Sequence, residues 1–306
     1  MKDAGLGVDL AGLKLANPTM LASGILGYSV DTLANIVKAG AGAVVTKSVS
    51  RKPREGYANP TVVQADCGVI NAVGLPNPGI EEFSKEIHRV KAVVSVPVVV
   101  SVFGFSAEEY ASVARKAVGA GADGVELNVS CPHVKDTGSE MGQDPKILSQ
   151  VIRKVKVSVD KPVLVKLSPN VTSMSDVAGS AVRAGADALT VMNTVKAMAI
   201  DVETAMPVLA NRVGGLSGAA VKPIALRNIY EVYEQVDVPI VGCGGIADWR
   251  DAVEFLLAGA SAVQIGTAIA NEGLGVFRAV TRGIGAYMKK KGLVSVSEIV
   301  GLSHRS

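Results

Sequence analysis

Short apolar runs, each bounded by glycine or proline, recur along the whole chain. Four runs follow an Ala-Gly-Ala triplet, whose glycine is typical of a helix that ends and leads into a strand. These runs occupy residues 43–47, 124–128, 188–193 and 262–266. Four others begin directly after a proline, and the first residue of a strand is one of the few sheet positions that accept proline. These occupy residues 19–23, 98–102, 163–168 and 240–242. The pattern therefore predicts eight strands.

The two kinds of run alternate at a nearly constant spacing. From each proline to the next triplet the distances are 21 residues (18 to 39), 23 (97 to 120), 22 (162 to 184) and 19 (239 to 258). Each interval has room for one strand, one helix and two short loops. Eight such units predict a (β/α)8 barrel of the TIM type. A doubly wound open sheet is the alternative, but it rarely needs eight strands so evenly spaced.

The remaining segments predict additions to this barrel. Residues 7–15 alternate around a central Ala-Gly, which indicates a hairpin that caps the bottom of the barrel. Helices at 274–291 and 296–300 should complete the outer ring. Extra residues after the second, fourth and sixth strands should form loops over the C-terminal face. These loops cover about 48–80, 129–146 and 194–222. No shift in composition marks a boundary, so we expect a single domain over residues 1–306.

Composition narrows the class of protein further. Hydrophobic residues make up 48% of the chain and aromatic residues only 4%, as expected for buried parallel strands. The 31 basic and 28 acidic residues give a net charge of +3, too small an excess to indicate nucleic-acid binding. The three cysteines form no CxxC pair, which argues against a zinc site or an iron–sulfur cluster and fits a reducing cytoplasm. No apolar window is long enough to span a membrane.

A polar run leads from the fourth predicted strand into a loop. It reads Glu-Leu-Asn-Val-Ser-Cys-Pro-His from Glu126 to His133. Parallel α/β proteins hold their reactive groups at such strand ends, so Cys131 is a candidate nucleophile or base. Free cysteines more often serve only as buried packing residues. We expect that role for Cys243, which lies between glycines.

Two lysines also lie at predicted strand ends. Lys47 and Lys166 each follow three or four apolar or small residues. A lysine at a barrel mouth can form a Schiff base with a carbonyl or act as a fixed cation opposite a developing anion. The alternative is a lysine that extends along the surface with its amine in water.

Amides and glycines complete the candidate site. Asn71, Asn128 and Asn193, with Thr194 after the last, supply donors and acceptors that suit a flat heterocycle bearing C=O and N–H groups. Each alone could only cap a turn. Small residues at 242–246 and 266–268 follow strands seven and eight, where barrels often bind phosphate through backbone amides.

These segments together resemble the class 1 dihydroorotate dehydrogenases over nearly the whole chain. The Asn-Ala-Val-Gly-Leu run at 71–75 and the Met-Ala-Ile-Asp run at 198–201 resemble the NAD-dependent, heteromeric branch (class 1B) more than the fumarate-using branch. The absence of an N-terminal membrane helix, and cysteine rather than serine at 131, argue against the membrane-bound, quinone-linked class. The other segments that carry the resemblance are 22–24, 46–48, 76–79, 128–132, 165–170, 192–194, 214–218 and 242–246.

The resemblance implies an enzyme of de novo pyrimidine synthesis that oxidises dihydroorotate to orotate with FMN at the barrel mouth. It implies Cys131 as the base. The FMN phosphate would be held by Gly218, Gly244, Gly245, Gly266 and Thr267. The rest of FMN would be lined by Ser23, Lys47, Ser48, Ser101, Asn128, Lys166 and Met192. Substrate would be contacted by Lys47, Asn71, Ala72, Val73, Gly74, Leu75, Asn128, His133, Asn193 and Thr194.

The same resemblance implies a partner. Electrons would reach NAD through a second subunit that carries FAD and a 2Fe-2S cluster, around a homodimer core within a heterotetramer. Neither nucleic acid, membrane nor metal is expected.

The sequence departs from the family pattern at two positions. His133 stands where the family usually has Asn, and it resembles the Ser-Cys-Pro-His of dihydropyrimidine dehydrogenases. Ala197 stands where Gly is common. A dihydropyrimidine dehydrogenase-type flavoprotein is therefore one alternative function. A Schiff-base aldolase that uses Lys166 is another, and a catalytically silent scaffold barrel is a third.

Overall fold

Eight parallel strands close into a barrel in the computed structural model, which describes residues 5–130 and 141–305. The barrel strands are β1 (Thr19–Leu21), β2 (Ala43–Val45), β3 (Val98–Val102), β4 (Gly124–Asn128), β5 (Val163–Leu167), β6 (Ala188–Val191), β7 (Ile240–Cys243) and β8 (Ala262–Ile265). Each strand pairs in parallel with the next, and β8 pairs with β1. The predicted (β/α)8 barrel is confirmed, and the open sheet is excluded because no edge remains.

Helices surround this barrel. They are α1 (Val30–Lys38), α2 (Ile80–Val93), α3 (Ala107–Gly119), α4 (Pro145–Lys156), α5 (Met174–Arg183), α6 (Lys222–Tyr233), α7 (Trp249–Leu257), α8 (Ala268–Glu272) and α9 (Val276–Lys291). In the described ranges, none of them is long and apolar enough to cross a membrane. The predicted closing helix begins at Val276 rather than at 274, after the short α8. The segment predicted as helix 296–300 forms only a 3-10 turn, Val296–Glu298.

Local sequence explains where these helices begin and end. Side chains at Ser29, Ser106 and Ser173 accept a hydrogen bond from the first turn of α1, α3 and α5. The alanine that opens each Ala-Gly-Ala triplet caps a helix C-terminus, and the glycine that follows has a positive φ, 108° at Gly40 and 119° at Gly259. The triplets are therefore helix stops that feed the next strand, as predicted.

An N-terminal hairpin closes the bottom of the barrel. Strands Val8–Leu10 and Leu13–Leu15 pair antiparallel around Ala11-Gly12. Their leucines pack with the first inward-facing residue of seven barrel strands, and Leu13 also lies beneath Gly124 of β4. The apolar layer so formed consists of Leu10, Leu13, Leu15, Met20, Ala43, Val45, Val99, Leu164, Ala188, Val241 and Ala262, all buried.

Two of the predicted loops contain strands. The 48–80 and 194–222 segments together build a four-stranded antiparallel sheet, which we call the cap sheet, and a two-stranded ribbon. The strands of the cap sheet are Val62–Ala65, Gly68–Asn71, Val213–Ser217 and Val195–Met198, and those of the ribbon are Ile200–Asp201 and Met206–Pro207. In the third segment, 129–146, residues 131–140 lie outside the described part. Met141–Gln143 there forms a 3-10 turn that leads into α4.

Candidate active site

Polar side chains replace apolar ones at the next inward position of the strands. Because side chains alternate along a strand, the residue two positions after an inward one also points inward. Above the apolar layer, these positions hold Ser101, Glu126, Lys166, Thr190, Cys243 and Gln264. All but the half-buried Cys243 have 4% exposure or less. The upper half of the barrel interior is therefore a buried polar layer.

Lys166 is the cation of this layer. Its Nζ donates to Gln264 Oε1 at 3.0 Å and to Ser23 Oγ at 3.4 Å, and it lies 4.0 Å from Glu126 Oε1. Burial by itself lowers the pKa of Lys166. The charge of Cys243, which exists only at the high pH where its thiol ionises, and the charge of Glu126 more than offset that effect, so the pKa lies above its ordinary 10.5. Lys166 is consequently a fixed positive charge at neutral pH.

Cys243 behaves differently in the same layer. Burial raises the pKa of its thiol, and the Glu126 carboxylate adds to that rise while Lys166 opposes it. The thiol is therefore neutral and unreactive near pH 7. The expectation that Cys243 packs rather than reacts agrees with this environment.

Amides and hydroxyls form a connected chain above this layer, at the barrel mouth. Ser48 Oγ and Ser101 Oγ share a hydrogen bond of 2.8 Å, and Asn128 Nδ2 donates to Ser48 Oγ at 3.1 Å. Asn193 Nδ2 donates to Asn128 Oδ1 at 3.2 Å and to Ser130 Oγ at 2.8 Å. The strand ends of β2, β3, β4 and β6 thus bring together residues that are far apart in sequence.

Lys47 also stands at the mouth, after β2 and next to Ser48 in sequence. Its Nζ donates to Gly24 O at 3.4 Å and lies 5.6 Å from the centre of the Tyr28 ring. Burial lowers the pKa of Lys47 from its ordinary 10.5, and within the described residues no carboxylate pairs with it. Such an amine gains from an anionic ligand, because the opposite charge offsets the cost of burying the ammonium.

The segment 71–75 forms a fixed turn beside this lysine. Tyr28, whose ring faces Lys47, donates from its hydroxyl to Pro76 O directly after the turn. Gly74 and Leu75 both have positive φ, 79° and 55°, and a Cβ on Gly74 would lie 2.7 Å from a backbone nitrogen of the neighbouring loop. The strained backbone at Leu75 is therefore held by its surroundings.

Asn77 fixes the conformation of this turn. It was not predicted as a site residue. Its Nδ2 donates to Leu75 O at 3.0 Å, and its Oδ1 accepts from the Gly79 amide at 2.9 Å. The cap sheet fixes the other end, where Asn71 Nδ2 donates to Gly215 O at 3.4 Å. An asparagine followed two residues later by glycine was the available sequence signal for Asn77.

Three glycine-bearing segments meet after strands seven and eight. A Cβ on Gly245 would lie 2.9 Å from Gly218 O and 2.8 Å from the Cβ of Lys222, and a Cβ on Gly218 would face Thr267 at 3.6 Å. Thr267 Oγ1 donates to Ser217 Oγ at 2.9 Å. Within the part of the chain that the structure describes, the N–H groups of Gly245 and Thr267 enter no hydrogen bond. This glycine cradle offers free backbone donors to an anion.

Most of the predicted site residues therefore gather at one end of the barrel. Met192 belongs with them, since its Sδ accepts a hydrogen bond from Asn228 and its Cε faces Gly244. Cys131 and His133 lie outside the described residues. Among the described residues, no three His, Cys, Asp or Glu side chains are grouped to hold a metal.

The sequence analysis missed three residues of the buried polar layer beneath the mouth. Thr190 and Gln264 were not considered, and Glu126 was only the first residue of a motif. Their signal was a single polar residue inside an otherwise apolar strand, as in the Ala-Val-Gln-Ile of β8. That residue lies two positions before a predicted site residue, as Gln264 does before Gly266.

Comparison with known proteins gives a consistent result. Residues 5–288 match the profile of the family described as "Dihydroorotate dehydrogenase". The chain is 50% identical over 298 residues to "Dihydroorotate dehydrogenase B (NAD(+)), catalytic subunit" of Pyrococcus abyssi, which covers 97% of this chain and 99% of that protein. Relatives of the same name are 50% identical in Methanothermobacter thermautotrophicus (98% of each chain) and 45% identical in Methanosarcina acetivorans (97% of this chain, 95% of that protein).

Proposed function

The chain belongs to the dihydroorotate dehydrogenase family, and on that premise we propose that it oxidises dihydroorotate to orotate as the catalytic subunit of an NAD-linked enzyme of pyrimidine synthesis. The oxidation removes a proton from C5 and a hydride from C6 of the substrate ring. It therefore needs a hydride acceptor, a base, and a site that holds the ring between them.

FMN is the cofactor that the barrel mouth fits. The observation that supports it most strongly is a buried, positively charged Lys166 below a glycine cradle with free N–H donors. The cradle suits a phosphate and the cation suits a ring that becomes anionic. When bound, FMN supplies the hydride acceptor. Phosphate would be held by Gly218, Gly244, Gly245, Gly266 and Thr267. The remainder would be held by Ser23, Lys47, Ser48, Ser101, Asn128, Lys166 and Met192.

The substrate site is proposed above this, among the amides. Lys47 pairs with the substrate carboxylate, because its amine is buried and no described carboxylate neutralises it. The side chains of Asn71, Asn128 and Asn193 meet the N–H and C=O groups of the ring. Thr194, His133 and the turn Ala72, Val73, Gly74 and Leu75 supply the remaining contacts.

Cys131 is proposed to remove the C5 proton. It follows Ser130, whose hydroxyl accepts a hydrogen bond from Asn193 at 2.8 Å, so the described residue next to it is tied to the proposed substrate site. A free thiol titrates at about 8.5, so part of it is thiolate at neutral pH. The thiolate takes the proton, and the ring loses its hydride from the neighbouring carbon.

Electrons are proposed to leave through a partner subunit. The similar proteins are named as catalytic subunits of NAD-dependent enzymes. This chain has three cysteines, fewer than the four that a 2Fe-2S cluster takes from Cys side chains. We therefore assign FAD and the 2Fe-2S cluster to the partner, with a homodimer of this chain at the centre of a heterotetramer in the cytoplasm. The isolated chain should reduce artificial acceptors but not NAD, and co-purification with the partner should add NAD reduction.

An anaerobic absorbance spectrum tests cofactor and substrate together. Purified protein should be yellow and should bleach on addition of dihydroorotate. Dihydrouracil should leave it yellow, and bleaching by dihydrouracil alone would favour a dihydropyrimidine dehydrogenase-type activity. A colourless protein would contradict the proposal. The aldolase alternative is disfavoured because Lys166, protonated at neutral pH, is a poor nucleophile for a carbonyl.

A further inference from the structure

The reaction above gives no role to Glu126, a carboxylate with no exposed surface inside the barrel. Its Oε2 accepts hydrogen bonds from Thr190 Oγ1 at 2.8 Å and from Gln264 Nε2 at 2.6 Å. Its Oε1 is buried, has no hydrogen-bond partner among the described residues and lies 4.0 Å from Lys166 Nζ. A buried carboxylate is costly unless a positive charge opposes it, so Lys166 is the group that makes this one tolerable.

Gln264 links the two charges and its orientation is determined by them. An ammonium can only donate and a carboxylate can only accept. Lys166 Nζ therefore donates to Gln264 Oε1, and the amide nitrogen of Gln264 donates to Glu126. Two donors on one carboxylate oxygen fit an ionised Glu126. The amide dipole is thus aligned between cation and anion, and each charge strengthens the hold on the other.

Apart from Glu126, no described residue places a charge against Lys166 at neutral pH. Ser23 after β1 and Gln264 on β8 are neutral, and burial keeps Cys243 on β7 a neutral thiol at pH 7. Lys47, another buried amine, contacts Gly24 and Tyr28 instead. In the described part of the chain, Glu126 is therefore the only negative charge that faces Lys166 at neutral pH.

We propose that Glu126 is a positioning residue that sets the electron affinity of the flavin site through Lys166. The inference rests on the proposed function, since it assumes FMN at the mouth. Two-electron reduction with uptake of one proton leaves the flavin ring anionic near neutral pH. A cation beside the ring favours that reduced form, and a carboxylate behind the cation weakens the preference while keeping the cation protonated.

The decisive variant is Glu126→Gln, which keeps the shape and removes the charge. Lys166 then faces the ring unopposed, so the FMN midpoint potential at pH 6 should become more positive than in the unaltered protein. The ratio of dissociation constants for oxidised and reduced FMN should change by about tenfold in favour of reduced FMN. This shift should shrink as pH rises, because an unopposed buried lysine loses its proton more easily. Titration with dithionite and reference dyes measures both effects without the substrate.

Thr190→Val is the matched control. It removes a hydrogen bond to the same carboxylate oxygen but leaves the charge, so its potential should equal that of the unaltered protein. Glu126→Asp keeps the charge but moves it away from Lys166, and it should give a smaller shift of the same sign. In the unaltered holoenzyme the potential should show no ionisation of Lys166 between pH 6 and 9, which is a measurement that needs no variant.

Three results would overturn the inference. They are an E126Q potential equal to that of T190V, a shift toward more negative values at pH 6, and an inflection from Lys166 below pH 9 in the unaltered protein. A measurement made without flavin distinguishes a failure of this inference from a failure of the proposed function. In apoprotein with 15N-labelled lysine, E126Q should lower the pKa of the Lys166 amine and T190V should not, whether or not dihydroorotate bleaches the holoenzyme.

Discussion

The lower and upper halves of the barrel interior are built by the same strands, yet the lower half is apolar and the upper half is polar. On β5 the inward residue is Leu164 in the lower half and Lys166 in the upper half, and on β8 it is Ala262 followed by Gln264. The lower residues pack in one apolar cluster with the N-terminal hairpin. The upper residues, apart from the half-buried Cys243, are as deeply buried, and hydrogen bonds join Lys166, Gln264 and Glu126.

This difference follows from what closes each end. The hairpin supplies leucines to the lower half, so apolar side chains there are removed from water by the chain itself. At the upper end the strand exits carry lysines, serines and asparagines instead. A buried polar layer stabilises the fold only when its groups are paired, and Glu126 Oε1 has no hydrogen-bond partner among the described residues. We therefore expect the lower half to carry stability and the upper half to carry chemistry.

The largest expected effect is on Cys131, the proposed base at the upper end. Cys131→Ala should leave FMN bound but slow its reduction by dihydroorotate by roughly 10²–10⁴-fold, the range that general-base catalysis supplies. Single-turnover stopped-flow spectroscopy that follows the loss of the oxidised-flavin absorbance would measure it.

Cys67→Ala is the control for this experiment, because Cys67 is an exposed thiol on the cap sheet. Its rate of flavin reduction should be unchanged. A near-normal rate of flavin reduction in Cys131→Ala would show that Cys131 is not the base.

A matched pair on β5 tests the division of roles directly. Leu164→Ala should lower the free energy of unfolding by about 2–5 kcal/mol, as for other buried leucines, while the rate of flavin reduction by substrate stays near normal. Lys166→Met should slow flavin reduction instead. Urea unfolding with excess FMN and single-turnover kinetics measure the two quantities.

The comparison would fail if Leu164→Ala slowed the chemistry more than Lys166→Met did. Some loss of stability is also expected for Lys166→Met, because it leaves Glu126 buried without its cation. The discriminating quantity is therefore the rate, not the unfolding free energy.

The lower half was the easier half to predict from sequence. Prolines and Ala-Gly-Ala triplets mark both ends of each strand, and the alternation around Ala11-Gly12 marks the hairpin. Some predicted strands extended past the observed strand into a site residue. The second strand, for example, was predicted at 43–47 but spans only Ala43–Val45. The added residues were Thr46 and Lys47, which lie beyond the last ladder pairing of β2.

The upper half was predictable only in part. Strand-exit residues such as Lys47 and Asn128 were expected because carboxyl ends of parallel strands converge. The contact between Gln264 and Glu126 joins residues 138 positions apart, which no local pattern indicates. The cap sheet was missed because its glycines resemble a loop. A Cβ on Gly215 would lie 2.1 Å from Thr194 Oγ1, so that glycine serves close packing rather than a turn.

A smaller effect is expected in the glycine cradle. Gly245→Ala puts a side chain on a residue with φ of 79°, where its Cβ would lie 2.8 Å from the Cβ of Lys222. FMN affinity should fall by about tenfold, because the cradle must shift and such strain costs of order 1–3 kcal/mol. Gly119→Ala is the control, since a Cβ there meets nothing within 4 Å. Fluorescence titration of apoprotein with FMN measures both, and equal affinities would argue against phosphate binding in the cradle.

The smallest effect concerns the pair beside this cradle, Asp251 and Lys222. Burial by itself raises the pKa of Asp251, but hydrogen bonds from Lys222 and from the amides of Ala247 and Asp248 lower it below its ordinary value of 3.8. A carboxyl with a lowered pKa stabilises the fold above the unfolded-state value, and this contribution is lost as pH falls through the folded-state value. Because the pair is partly exposed, this contribution to stability should amount to less than about 1 kcal/mol.

The variant Asp251→Asn keeps an acceptor for the amides and removes the charge. Its unfolding free energy should therefore lie slightly below that of the unaltered protein at pH 6, and the difference should shrink as pH falls below 3.8. A difference that stays constant with pH would exclude the charge as the cause.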